Sequence, residues 1–305
     1  MPIASAAGAA TYSGNFIPEI WSSKLVENFY DATVLAAISN TDYEGEIKSQ
    51  GDKVQIRLTP EITIRSYQKG MNLTVERPDK PKITLDIDQG EYFACVEDDV
   101  DKVQSDIDLM DKWSKDASER MKIKVDANVL TGILPDIATI NQGTTAGRIS
   151  GNINLGATGS PVQATKANVL DMLVDIGVVL DEANAPESDR FVVIPAWMAG
   201  MIKKSDLKDA SLTGDSSSVL RNGRLGMIDR LTLYTSHNLN SVVDNSVRCY
   251  NVVFGHKMGL TFASQMTEME SIRAESTFGN IIRGLQVYGY KVVKGEALGR
   301  LYVRQ

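Results

Sequence analysis

The chain has 305 residues, is 43% hydrophobic and 23% charged, and carries a net charge of −7. This balance is ordinary for a globular protein, and the length suffices to bury a core without disulfide or metal staples. The acidity speaks against a dedicated nucleic-acid binder, which carries a basic face, but not against a wall that merely encloses nucleic acid. Cys95 and Cys249 form no CxxC pair, so no disulfide framework or zinc site is indicated. They read as small buried hydrophobes in a reducing cytosol. The start of the chain lacks the basic and apolar regions of a signal peptide. No run approaches the roughly 18 apolar residues of a membrane span. Synthesis in the cytoplasm, away from membranes, is expected.

Residues 1–15 are small and polar and lack the apolar content to pack alone. Ile17-Pro18-Glu19-Ile20-Trp21 follows, then Leu25, Phe29, Ala32, Val34, Leu35 and Ile38 at helical spacing, which predicts a short docking helix. Residues 44–95 read as β. Val54, Ile56 and Leu58, then Ile62 and Ile64, then Ile83, Leu85 and Ile87 alternate with polar residues, the period of half-buried strands. Turn signals lie between them, at 67–72 and 77–81. An excursion of this kind has little core of its own and is marginal in water without a partner surface.

Residues 97–134 read as a long helix with one apolar stripe: Val100, Val103, Ile107, Met110, Ala117, Met121, Val125 and Val129. Glu97, Asp98, Asp99 and Asp101 crowd its expected start, where the helix dipole favours anions, and Pro135 follows its end. Capping is the reading of that acidic run, rather than metal binding. Residues 136–164 are loop-like, with one short hairpin at most. Residues 166–183 predict a second helix with Val169, Leu173, Ile176 and Leu180 on one face. Phe191–Ile194 is a continuous apolar run and predicts a buried strand, followed by a short helix near Met198–Lys203. Residues 205–224 are polar and predict an exposed loop. Strand-like runs follow at 231–234, 250–254, 259–262 and 288–293.

No motif of catalysis emerges. His237 and His256 lie near no metal-ligand spacing. There is no GxxxxGK[ST] or GxGxxG phosphate cradle and no GxSxG elbow. The paired Asp98 and Asp99 lack surroundings that would raise a pKa. The expectation is a chain that is not an enzyme and holds no cofactor or metal. In the 205–224 loop, Asp206, Lys208, Asp209 and Asp215, flanked by Arg221 and Arg224, read either as a solvated surface or as contacts to an identical neighbour around a symmetry axis.

Three stretches carry a resemblance: Phe16–Trp21 through Leu25 with Asn40–Ile47 and Gly51–Val54; Phe191–Pro195 with its following helix; and Gly284–Val293 with Glu296-Ala297-Leu298. Together they resemble the major capsid proteins of tailed bacteriophages, the Hong-Kong-97-type fold, over nearly the whole chain. The resemblance implies an α+β subunit. Its parts would be an N-terminal arm (1–43), an extended β loop (44–95), a peripheral domain with a spine helix (96–135), an axial domain (136–270) and a peripheral return (271–305).

The function it implies is self-assembly, as hexamers and pentamers, into an icosahedral shell around double-stranded DNA bound without sequence specificity. A separate scaffolding protein, a portal protein and a possible decoration protein are the implied partners. The alternative is an encapsulin-type compartment around a cargo enzyme. Arg57, Arg65, Lys69, Arg77, Lys80 and Lys82 on the β excursion are the candidates for pairing with carboxylates of the next subunit. Asp206, Asp209, Arg221 and Arg224 are candidates near the axis.

Overall fold

Alternating sequences become strands only where a second strand answers their backbone groups, and the β excursion shows both outcomes. The computed structural model describes residues 33–42, 53–60, 62–78, 81–99, 109–205, 226–275 and 278–305. Strands β1 (Lys53–Arg57) and β2 (Lys82–Asp86) pair antiparallel, Lys53 facing Asp86 and Arg57 facing Lys82. Ile56 and Leu85 join Ile87 and Ala263 in a small core at the root of this hairpin. The strand expected at Ile62 and Ile64 does not form. Residues 62–68 carry no strand assignment, and both isoleucines are exposed.

Strand β3 (Gln89–Asp98) follows at once. It closes a three-stranded antiparallel sheet with β10 (Leu260–Arg273) and β11 (Gly279–Val292), in the order β10-β11-β3. This corrects the reading of the acidic run. Glu97 and Asp98 lie on a strand paired with Asn280 and Gly279, and the chain turns helical only at Asp99. Asp99, just beyond, is ion-paired with Arg273. Asp101 lies outside the described residues, as do Val100, Val103 and Ile107 of the expected stripe.

Helix α2 is described over Leu109–Gly132. Val125 and Val129 of its stripe are buried with Leu130 and Ile133. Helix α1 (Leu35–Ile38) packs against it, placing Val34, Leu35 and Ile38 in the same core. Only the end of the expected docking helix lies within the described residues.

The rest of the chain builds a seven-stranded mixed sheet. Its strands run β4 (Val162–Gln163), β12 (Leu298–Arg304), β9 (Val247–His256), β5 (Arg190–Ile194), β7 (Leu231–Thr235) and β6 (Met227–Ile228), with β8 (Ser241–Asp244) also on β9. Helices α3 (Val169–Glu182) and α4 (Ala196–Lys204) cover one face. All four apolar residues of the α3 stripe are buried.

The continuous apolar run in β5 has a direct cause: this strand is buried on both sides. Val192 and Ile194 enter the core with α3 and α4, whereas Phe191 and Val193 enter the core with α2. The alternation of β9 and β12 divides in the same way, Val252 and Leu301 on one side, Val253 and Leu298 on the other. One sheet is therefore shared by two cores. Cys249 is fully buried and Cys95 half-buried, both as free thiols.

Candidate functional site

Two surfaces stand out because their apolar side chains are left uncovered. The first is the distal part of the β1–β2 hairpin. The register that pairs Lys53 with Asp86 continues outward. Leu58 N–H donates to Pro81 O at 3.0 Å, Thr63 N–H to the Glu76 carboxylate at 2.7 Å, and Met71 N–H to Gln68 O at 3.1 Å. Residues 53–86 thus form one hairpin with Lys69-Gly70 at its tip, and Gly70 adopts φ +86°, the left-handed conformation that glycine tolerates. Between the Leu58–Pro81 contact and the tip, no backbone–backbone hydrogen bond joins the two arms among the described residues.

In this register Ile64 faces Val75, and Ile62, Leu73 share their side of the ribbon. Ile64 and Val75 are each 90% exposed, Leu73 73% and Ile62 63%. Thr63, Arg65, Thr74 and Glu76 take the opposite side. Four large apolar residues on one face, with nothing upon them, mark a contact surface rather than scattered exposure.

The candidate cations have distinct environments. Arg57 and Lys82 face each other across the root, and Lys82 Nζ donates to Gln55 Oε1 at 3.3 Å. Arg65 is already engaged inside the hairpin, 3.5 Å from Glu76. Lys69 sits at the exposed tip, and Arg77 is exposed with no ion pair among the described residues. Lys80 and the candidates Asp206, Asp209, Arg221 and Arg224 lie outside the described residues.

The second surface is one face of the three-stranded sheet. Phe93 and Cys95 of β3 and Met269 of β10 turn toward α2, where Ser118 Oγ donates to Met269 Sδ at 3.6 Å. The opposite face carries Tyr92 paired with Leu285 and Val96 paired with Ile281. Tyr92 is 80% exposed and Val96 53%. Glu268 and Asp98 flank these residues, while Arg283 is taken up by Glu270. The alternation in Tyr92-Phe93-Ala94-Cys95-Val96 is the signal for this face, and it is obscured by the acidic residues that follow.

The connection between α3 and β5 is fixed by charge. Arg190, fully buried at its side chain, donates to Pro186 O and Ala185 O at 2.7 Å each and pairs with Asp181 at 2.7 Å. Arg230, in the β6–β7 turn, pairs with Asp181 and Glu187, each at 3.0 Å. Partial burial alone would raise the Asp181 carboxyl, but the hydrogen bonds and charges of Arg190 and Arg230 outweigh it and hold the group below its ordinary range. Burial pushes the His256 imidazole below its usual value, while its Nδ1 accepts from Met258 N–H at 3.1 Å. Among the described residues, no group of histidine, cysteine and carboxylate side chains has the arrangement of a metal site.

Comparison with known proteins agrees with this picture. A family described as phage capsid protein matches residues 83–302. The fold is similar to a solved structure from Mycobacterium phage Che8, with a TM-score of 0.78 and 27% identity over 95% of this chain and 98% of that one. It is also similar to the capsid of cyanophage P-SCSP1u, with a TM-score of 0.73 and 15% identity over 97% of this chain and 95% of that one. The capsid of a native GTA particle gives 0.64 and 15% over 99% and 100%. At 15% identity the latter two speak for the fold alone. No curated protein matches the sequence. The matched family spans most of the α+β body just described, and the chain belongs to the phage capsid protein family.

Proposed function

We propose that this chain builds its shell by laying the apolar face of the 53–86 hairpin on the bare face of the three-stranded sheet of a neighbouring copy. The chain is a structural subunit of a phage capsid shell and not an enzyme. The encapsulin-type alternative is not favoured, since the family matched is that of phage capsids. One observation carries the docking proposal: each subunit exposes two apolar surfaces, one on the hairpin arms and one on the three-stranded sheet. Ile62, Ile64, Leu73 and Val75 lie on a ribbon with the cations Lys69 and Arg77, and Tyr92, Val96 and Leu285 lie on a sheet flanked by Glu268 and Asp98. Contacts of this heterologous kind close into rings, and many weak ones acting together hold a shell.

In this reading residues 1–43 are the arm, 44–95 the extended loop, 96–135 and 271–305 the peripheral domain, and 136–270 the axial domain. Arg57, Lys69, Arg77, Lys80 and Lys82 meet carboxylates of the next subunit. Asp206, Asp209, Arg221 and Arg224 face one another around the axis of hexamers and pentamers. Assembly takes place in the host cytoplasm with a scaffolding protein and a portal protein, and double-stranded DNA is enclosed without sequence-specific contacts.

Electron microscopy of the purified chain, alone and with a candidate scaffolding protein, tests the assembly. Closed particles, capsomer sheets or tubes are expected, and a uniform small species under both conditions refutes it. Oxidation of an I64C/L285C double variant tests the contact. A ladder of disulfide-linked multimers is expected, absent from either single variant.

A further inference from the structure

The core between α1, α2 and the seven-stranded sheet holds a small group of polar side chains around Asp126. This residue of α2 is 1% exposed. Its Oδ1 accepts the N–H groups of Val34 at 3.1 Å and Leu35 at 2.9 Å. Its Oδ2 accepts from Asn238 Nδ2 at 2.8 Å. Asn238, itself 9% exposed, donates its N–H to Ser236 Oγ at 3.1 Å, and Ser236 N–H donates to Ile194 O at 3.2 Å. One carboxylate thus ties together three segments far apart in sequence: the base of the arm, the long helix and the edge of the shared sheet.

A carboxylate in an apolar core is costly unless hydrogen-bonded, and an apolar residue of similar volume is often as stable or more so. Packing alone would seat a leucine here beside Val34, Leu35, Val125 and Val129. A carboxylate adds direction. It caps α1, whose own N-cap residue Val34 supplies no side-chain hydrogen bond, and so fixes the orientation of that helix on α2. The far end of the segment is pinned separately: Asn40 N–H donates to Leu260 O at 2.8 Å, and Phe262 N–H to Asn40 O at 3.0 Å. With both ends held, residues 34–40 sit on α2 and the sheet in one orientation.

We propose that Asp126 is a positioning residue for shell assembly: by capping α1 from the long helix, it sets the departure of the N-terminal arm and hence the neighbours the arm can reach. This rests on the reading of residues 1–43 as an inter-subunit arm. Loss of the carboxylate leaves a subunit that folds around its apolar core but directs its arm poorly.

The test compares wild type with D126A, D126L and D126N at equal concentrations of soluble subunit. D126N keeps an oxygen for the Val34 and Leu35 amides and is the conservative rescue; D126L fills the volume without a polar atom. Two quantities are measured: the size and shape distribution of assembled particles by electron microscopy, and the tryptic cleavage rate at Lys24 in unassembled subunits. D126L and D126A are expected to give open, tubular or mixed-size products and a roughly tenfold or greater rise in cleavage, with D126N near wild type on both. If D126L is soluble, closes particles of wild-type size and is cut at the wild-type rate, the inference is wrong. Should D126A and D126L both fail to fold, D126S decides, because its short hydroxyl cannot reach the Val34 and Leu35 amides as the carboxylate does. Wild-type cleavage and wild-type particles from folded D126S overturn the proposal. Failure of the wild type itself to assemble would refute the arm reading instead.

Discussion

Replacing Ile64 and Val75 together by serine isolates the hairpin face from every other feature of the subunit. Each side chain is 90% exposed, and full burial of an aliphatic side chain contributes about 1.5–3 kcal/mol. If docking on the neighbouring sheet covers half of each, the pair contributes about 2 kcal/mol per contact. That is roughly thirtyfold in the association constant of one contact, and the effect compounds through the repeated contacts of a shell. The isolated subunit should be indifferent, because exposed substitutions usually change stability by less than about 0.5 kcal/mol. Thermal unfolding of unassembled subunits and the critical concentration for assembly, read by light scattering, together provide the assay. An unchanged melting temperature with a critical concentration raised at least about tenfold is expected. An unchanged critical concentration refutes the docking argument, and a large fall in melting temperature shows that the face is covered within the subunit.

Further outcomes follow from other residues. The double reversal K69E/R77E should reduce assembly and spare folding, measured by particle yield against the circular dichroism of the subunit; R65E should instead also loosen the hairpin, because Arg65 already pairs with Glu76. R190A strands the carbonyls of Ala185 and Pro186 and should cost about 3 kcal/mol in denaturant unfolding, with R190M milder. G289A sets a methyl group against the Asp86 carbonyl where the hairpin root meets β11. Overpacking there should cost about 1–3 kcal/mol and lower assembly further by shifting the hairpin, visible as a loss of particles at temperatures where the subunit stays folded. Burial lowers the pKa of His256 in the fold. The unfolded chain therefore takes up the proton first, and stability is lost as pH falls below about 6.5. H256Q should flatten the acid side of the melting-temperature profile below about pH 6.5.

Much of the fold was legible because burial follows periodicity. The α3 stripe and the apolar run of β5 lie where their spacing puts them, as two-sided burial requires. The hairpin was legible as a β excursion, but the strand at Ile62 and Ile64 was not. Alternation reports a ribbon with two unlike faces, and it cannot tell whether backbone pairing holds the two arms together. The acidic run at 97–99 misled for a related reason. Carboxylates suit both a helix start and a strand end, and here the strand runs through Asp98 before the chain turns helical at Asp99. Strand β12 escaped notice because Leu298–Arg304 interleaves arginines with core residues at a sheet position covered on both sides. Of the docking surfaces, the cations of the hairpin could be read directly. Tyr92 and Leu285 are far apart in sequence and form one surface only through the register of β3 and β11. Asp126 gave no signal at all, since its role depends on backbone amides 91 and 92 positions away.

The uneven bonding of the hairpin has a mechanical meaning. Its root is stapled by the β1–β2 ladder and a small core, and among the described residues its outer arms meet at isolated points. A rod built this way is stiff at the clamp and compliant toward the tip, like a leaf spring in series with a rigid mount. Bending it breaks no backbone ladder, so the elastic cost of reaching a neighbour at slightly different angles stays small. A single kind of subunit can then tile a surface whose local curvature varies, with the strain confined to about two dozen residues and kept out of the shared sheet.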